Sequence, residues 1–174
     1  MELSKISYIG EKIKNAKEIK MTQLLKIEIL VTVISIILGT LLHFTYQWSN
    51  GNLFVASFSA VNESVWEHLK LIFFPMLIVG IIEYFFVKNI TKNYLEAKTI
   101  GIFIAICFVV VSFFTYIGII GTNAFIIDIL IFIISIVLGE YIAYKLMKRK
   151  NESHIKTLVL SGIILLFLFS CFVL

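Results

Sequence analysis

Charge is scarce in this sequence: Asp, Glu, Lys and Arg make up 15% of its 174 residues, against about a quarter in ordinary soluble domains. Proline occurs once, as Pro75, and cysteine twice. Cys107 and Cys171 lie far apart inside apolar segments, without metal-ligand spacing. They read as small hydrophobic side chains, which excludes a disulfide framework or a zinc ribbon. The stretches 48–62 and 121–123 hold no charge at all. Catalytic signatures are absent too: no Gly-rich phosphate loop, no nucleophile elbow and no HExxH pair. Without a basic-aromatic surface, nucleic acid is not an expected partner. Serine hydrolysis would need Ser57, Ser59 or Ser64 beside His43 or His68, and nothing else supports it.

What is present is apolar. Hydrophobic residues make up 60% of the chain, and about 20 consecutive ones cross a bilayer as a helix. Five segments qualify, at about 25–47, 66–87, 100–120, 123–145 and 156–174. The first is too long for the core of a cleavable signal peptide and reads as a retained anchor. A tight turn at Gly121-Thr122-Asn123 makes the third and fourth a helical hairpin. The predicted fold is an all-α, polytopic bundle of five transmembrane helices, with a leader at 1–23 and a membrane domain at 24–174.

Lysine and arginine set the orientation. Lys5, Lys12, Lys14, Lys17, Lys20 and Lys26 precede or open the first span, and Lys88, Lys92 and Lys98 lie between the second and third. Lys145, Lys148, Arg149, Lys150 and Lys156 lie between the fourth and fifth, leaving Lys70 as the exception. The positive-inside bias then predicts a cytoplasmic N-terminus, an outside C-terminus and a multi-pass protein of the cell membrane. In the leader, Leu3, Ile6, Ile9, Ile13 and Ala16 recur at three- and four-residue steps among lysines. That pattern suits a helix lying on anionic lipids. The Asn62-Glu63-Ser64 and Asn151-Glu152-Ser153 triplets are too short to carry weight.

The intramembrane polar residues fall into two layers. The outer holds His43, Tyr46, Trp48, Asn62, Glu63, Trp66, Glu67, His68, Lys70, Tyr116, Asn123 and Asp128; the inner holds Glu28, Glu83, Tyr84, Glu140, Tyr141 and Tyr144. Ionisable groups within spans are costly, so each is a functional hypothesis. Plainer readings stand beside it. Asn62 can cap a helix, Ser64-Val65-Trp66-Glu67 fits a capping box, and Glu67 can pair with Lys70. The tryptophans suit an interfacial belt. At the inner face, Glu83 with Lys88 and Glu140 with Lys145 read as snorkelling pairs. Asp128 needs a partner, for which Lys70, His43 and His68 are available. Pro75 should kink the second span. The glycines mark close packing, and none forms a small-xxx-small pair that reads as a dimer motif. The apolar middle of every span argues against a continuous proton relay.

"LLHFTYQWS" (41–49), "AVNESVWEHLKLIFFP" (60–75) and "TYIGIIGTNAFIIDILIF" (115–132) together resemble a family of uncharacterised small bacterial integral membrane proteins, designated only as a domain of unknown function. The resemblance runs from the first span to the fourth and rests on His43, Tyr46, Trp48, Asn62, Glu63, Trp66, Glu67, His68, Lys70, Pro75, Tyr116, Gly121, Asn123 and Asp128. It implies a multi-span protein without assigned activity, cofactor or substrate. Such relatives continue past the last helix into a proline-containing outer tail, so the resemblance implies that a chain stopping at Leu174 lacks the tail that completes the outer site.

The functional expectation is a polar pocket at the outer leaflet lined by His43, Tyr46, Asn62, Glu63, Glu67, His68, Lys70, Tyr116, Asn123 and Asp128. A metal such as zinc would use His43, Glu63, Glu67 and Asp128, since Glu67 and His68 are turned about 100° apart on a helix. Metal-assisted hydrolysis of a lipid or lipid-linked substrate is the enzymatic version. A small oligomeric transporter or channel subunit and a structural or accessory subunit are the alternatives.

Overall fold

The computed structural model describes residues 2–149 and 155–173. Lys150, the Asn151-Glu152-Ser153 triplet and Leu174 lie outside the described residues, as do the side chains of Leu3, Lys5, Ile6, Ile13 and Lys17. Among the described residues six helices follow in order: α1 Glu2–Trp48, α2 Leu53–Ala56, α3 Val65–Val87, α4 Tyr94–Ile120, α5 Phe125–Met147 and α6 Ile155–Val173. All but α2 are long and apolar enough to cross a membrane, and no strand occurs among the described residues. The outward faces carry exposed Ile81, Phe85, Phe103, Phe114, Ile134 and Phe167, a lipid-compatible surface that water would not tolerate at this extent.

α1, α3, α4 and α5 form a closed four-helix ring, and α6 packs outside it against α4. Leu24, Glu28, Val31, Ser35 and Gly39 recur at helical spacing and form the buried seam of α1. A side chain at Gly39 would collide with Leu71 O and the Phe132 ring, so α1 meets both α3 and α5 there. Along α3, the run from Leu69 to Met76 is buried almost without interruption, and the helix continues through Pro75. Phe73 and Phe74 meet Phe172 of α6, which also meets Trp66.

α4 and α5 form the predicted hairpin. Gly121 ends α4 at φ 81° with its N–H on Ile117 O, a left-handed cap that favours glycine. Small residues line the seam between these two helices: Ala97, Gly101 and Ala105 on α4, and Ser135, Gly139 and Ala143 on α5, all buried. Small residues every fourth position let two backbones touch.

Two boundaries depart from the sequence reading, and both matter. α1 is one helix of 47 residues, or about 70 Å at 1.5 Å per residue. The leader is therefore collinear with the span, and laying it on a leaflet would require a bend. α4 begins at Tyr94, which takes Lys98 out of a connector and into the bundle, where it is buried.

Candidate functional site: a histidine-carboxylate rim and a buried ion cluster

The rim is built by the 49–64 connector folding back on α1. The Ser59 hydroxyl accepts from Tyr46 N–H at 3.1 Å and donates to Leu42 O at 2.5 Å. These are the two groups that an uninterrupted helix pairs with each other, so the connector is stitched into the α1 ladder beside His43. Lys70 fastens its other end, donating to Ala56 O at 3.2 Å and pairing with Glu67 at 3.0 Å. Glu67 in turn accepts from Val61 N–H at 3.1 Å. Ser64, rather than Asn62, caps α3 through a 3.4 Å bond from Glu67 N–H, while Asn62 Oδ1 accepts from Ser64 N–H at 2.9 Å.

With Glu67 and Lys70 occupied in this clip, His43, Glu63 and His68 converge. Glu63 Oε1 lies 3.9 Å from His43 Nε2, and Glu63 Oε2 lies 3.4 Å from His68 Nε2. One ligand atom from each lies within 4.8 Å of the others, and the two rings are 5.3 Å apart. His68 Nδ1 sits 2.8 Å from Ser64 O. A carbonyl only accepts, so Nδ1 carries a proton, and Nε2 is the ring nitrogen that stands beside Glu63. Glu63 precedes the helix start at Val65. Helical spacing therefore does not govern its approach to His68, and the 100° separation that weakened a Glu67–His68 pair does not arise.

The remaining sequence-predicted residues lie elsewhere. Asp128 accepts a short hydrogen bond from Tyr116 OH, which also accepts from Ala124 N–H at 3.5 Å. Its partner is thus Tyr116, not Lys70 or a histidine, and the three groups close the α4–α5 hairpin. Neither Asp128 nor Glu67 belongs to the His43–Glu63–His68 group, so the four-ligand set expected from the sequence is not assembled. Asn123 is exposed, and Tyr46 OH faces Gly51.

At the opposite end of the bundle the snorkelling pairs are replaced by a buried cluster. Lys98 Nζ donates to Glu83 Oε2 at 2.7 Å and to Glu140 Oε2 at 2.5 Å. Tyr94 OH approaches Gly80 O at 2.6 Å and Glu83 Oε2 at 2.9 Å; its single proton serves one of them at a time. Lys88 and Lys145, the expected partners, sit instead over the rings of Phe85 and Tyr141. Glu28 from α1 faces the same cluster. Glu28, Glu83, Lys98 and Glu140 are each no more than 3% exposed.

Packing explains the convergence. The Gly101–Gly139 contact sets Lys98, one turn before Gly101, against Glu140. Gly80 leaves space that the Lys98 stem and Tyr94 hydroxyl cross; a Cβ there would lie 3.0 Å from Lys98 Cε. The α3–α4 connector is tied to the end of α5 by Asn93 Nδ2 donating to Leu146 O at 2.9 Å. Two signals were available for this cluster: Glu28 on the buried seam of α1, and Lys98 between the small residues Ala97 and Gly101.

No curated protein and no solved structure matches the chain. The family described as "Family of unknown function (DUF6512)" matches residues 15–174. This multi-pass, all-α chain therefore belongs to DUF6512, a family of unknown function.

Proposed function

We propose that this protein binds a divalent transition-metal ion, zinc by preference, through His43, Glu63 and His68 on the outer face of the cell membrane. The observation that carries the reading is the approach of two imidazoles and one carboxylate, with their ligand atoms within 4.8 Å. Tetrahedral zinc at about 2.0–2.2 Å from N and O ligands needs donor atoms roughly 3.3 Å apart. Glu63 already stands 3.9 Å from His43 Nε2 and 3.4 Å from His68 Nε2, so the three side chains together must draw in to reach that spacing. Two histidines and a glutamate leave a fourth position for water or a ligand group.

Lys88 and Lys92 follow α3, Lys145 lies in the last turn of α5, and Lys148 and Arg149 follow it, all at the end away from this rim, which supports a cytoplasmic N-terminus. The exposed Lys12, Lys14 and Lys20 of α1 would meet anionic lipid only where α1 bends toward the leaflet. Hydrolysis would also require a general base beside the metal-bound water. Glu67, the neighbouring acid in sequence, is held by Lys70 and Val61, so binding is favoured over turnover.

The test is the metal content of the purified full chain after zinc loading and dialysis, compared with a His43→Ala, His68→Ala double variant. One zinc per chain, lost in the double variant and retained in Glu67→Gln, is expected. Absence of bound metal in the parent protein would overturn the proposal.

A further inference from the structure

The cluster around Lys98 does not balance its charge. Glu28, Glu83 and Glu140 bring three carboxylates from α1, α3 and α5 against the single ammonium of Lys98 from α4. Tyr94 contributes a neutral hydroxyl. The ammonium uses one oxygen each of Glu83 and Glu140. Glu83 Oε1 and Glu140 Oε1 are buried without a hydrogen-bond partner among the described residues, and so are both oxygens of Glu28. Glu28 lies against Glu83, acceptor facing acceptor. Buried charges are ordinarily paired, because the interior cannot solvate them as water does. Two formal negative charges and four unpartnered oxygens are left.

We propose that Glu28, Glu83 and Glu140 form a binding site for a small monovalent cation, a proton or a sodium ion, enclosed by the four-helix ring. A proton between Glu28 and Glu83 turns two opposed acceptors into a hydrogen bond. A sodium ion would instead draw on the four free oxygens. Calcium asks for six to eight oxygen ligands and magnesium keeps several waters. The first needs more oxygens than are free here, and the second brings waters that need room beside the carboxylates. Every helix of the ring supplies one charged member, so occupancy bears on the packing of all four. The site lies apart from the His43–Glu63–His68 rim and does not depend on the metal reading.

The test uses the purified full chain in detergent with chelator present, so that the rim is metal-free, and follows thermal unfolding. Sodium is exchanged for a bulky organic cation at constant ionic strength, and pH is varied separately without sodium. A ligand bound only by the folded state raises Tm by mass action. A sodium site gives a Tm that rises with sodium and saturates. A proton site gives no sodium response and a Tm that rises as pH falls. In either case Glu28→Gln, neutral and nearly isosteric, is expected to flatten the dependence. Glu140→Gln, which leaves Lys98 paired with Glu83, is expected to weaken the apparent affinity at least tenfold, and it decides the matter should Glu28→Gln not fold. A parent Tm indifferent to both variables, or a dependence unchanged in the folded variants, would overturn the proposal.

Discussion

Gly101 of α4 and Gly139 of α5 meet backbone to backbone: a Cβ on Gly101 would stand 2.6 Å from Gly139 O, and one on Gly139 would stand 2.7 Å from Gly101 O. No side chain fits either position unless the helices part. The same contact holds Lys98 against Glu140, so packing and electrostatics depend on one pair of missing side chains.

Gly139→Val should therefore destabilise the protein by at least about 1–3 kcal/mol, the usual cost of overpacking, and loosen the ion cluster as well. Gly118→Ala is the control, because a Cβ there meets nothing within 4 Å. It should be neutral or stabilising by up to about 1 kcal/mol through helix propensity. Unfolding in mixed micelles measures both. Equal effects would remove the helix contact as the explanation.

Lys98→Met removes the one ammonium that, among the described residues, pairs with Glu83 and Glu140. Breaking a buried ion pair from one side costs about 3–5 kcal/mol, because the partner charge stays behind. Combining it with Glu83→Gln and Glu140→Gln should recover much of that loss. A single variant as stable as the parent would mean that Lys98 does not balance these acids.

Tyr116→Phe takes the donor from Asp128 and leaves a half-buried carboxylate without it. A loss of about 1–3 kcal/mol is expected, with zinc retention unchanged because Asp128 lies outside the His43–Glu63–His68 group. Loss of zinc in Asp128→Asn would return Asp128 to the ligand set.

Zinc binding should weaken toward acidic pH, since a ligating imidazole must be neutral and its protonation competes with the metal. Binding titrations at several pH values, read beside proton release, check this. Affinity independent of pH would exclude histidine ligation.

Lys70→Met severs the link between α3 and the α2 end of the connector without touching a proposed ligand. Outer groups that orient metal ligands typically contribute 10–100-fold in affinity, and a loss within that range is expected. Unchanged zinc affinity would show that Glu63 is positioned without the clip.

Much of the rim was readable in the residues themselves. Ser64 with Glu67, and Glu67 with Lys70, are local pairs set by helix spacing; the structure makes the Glu67–Lys70 pair and the Ser64 half of the capping box, while the Glu67 carboxylate turns to Val61 N–H. Ser59 was passed over because a hydroxyl bridging Leu42 and Tyr46 leaves no periodic trace in a connector. The helix-helix seam was legible but spread over two segments: the fours Ala97, Gly101, Ala105 and Ser135, Gly139, Ala143 matter only when laid against each other. A charge ordinarily ends an apolar run, which puts Lys98 in a connector by sequence; the rule fails where two carboxylates lie inside the bundle.

The number of membrane-length helices, the hairpin at Gly121 and the separation of polar residues into two layers follow from the sequence alone. Each rests on a local quantity: apolar length against bilayer thickness, the turn preference of glycine, or the depth of a residue along its own helix. Which polar groups meet was decided only by tertiary structure. Helix rotation and crossing bring Glu28, Glu83, Lys98 and Glu140 together from four segments, and turn Asp128 to Tyr116 while Glu63 reaches His43 and His68. Those rotations are set by side-chain volumes at the contacts between helices, Gly101 against Gly139 above all, and no single helix encodes them.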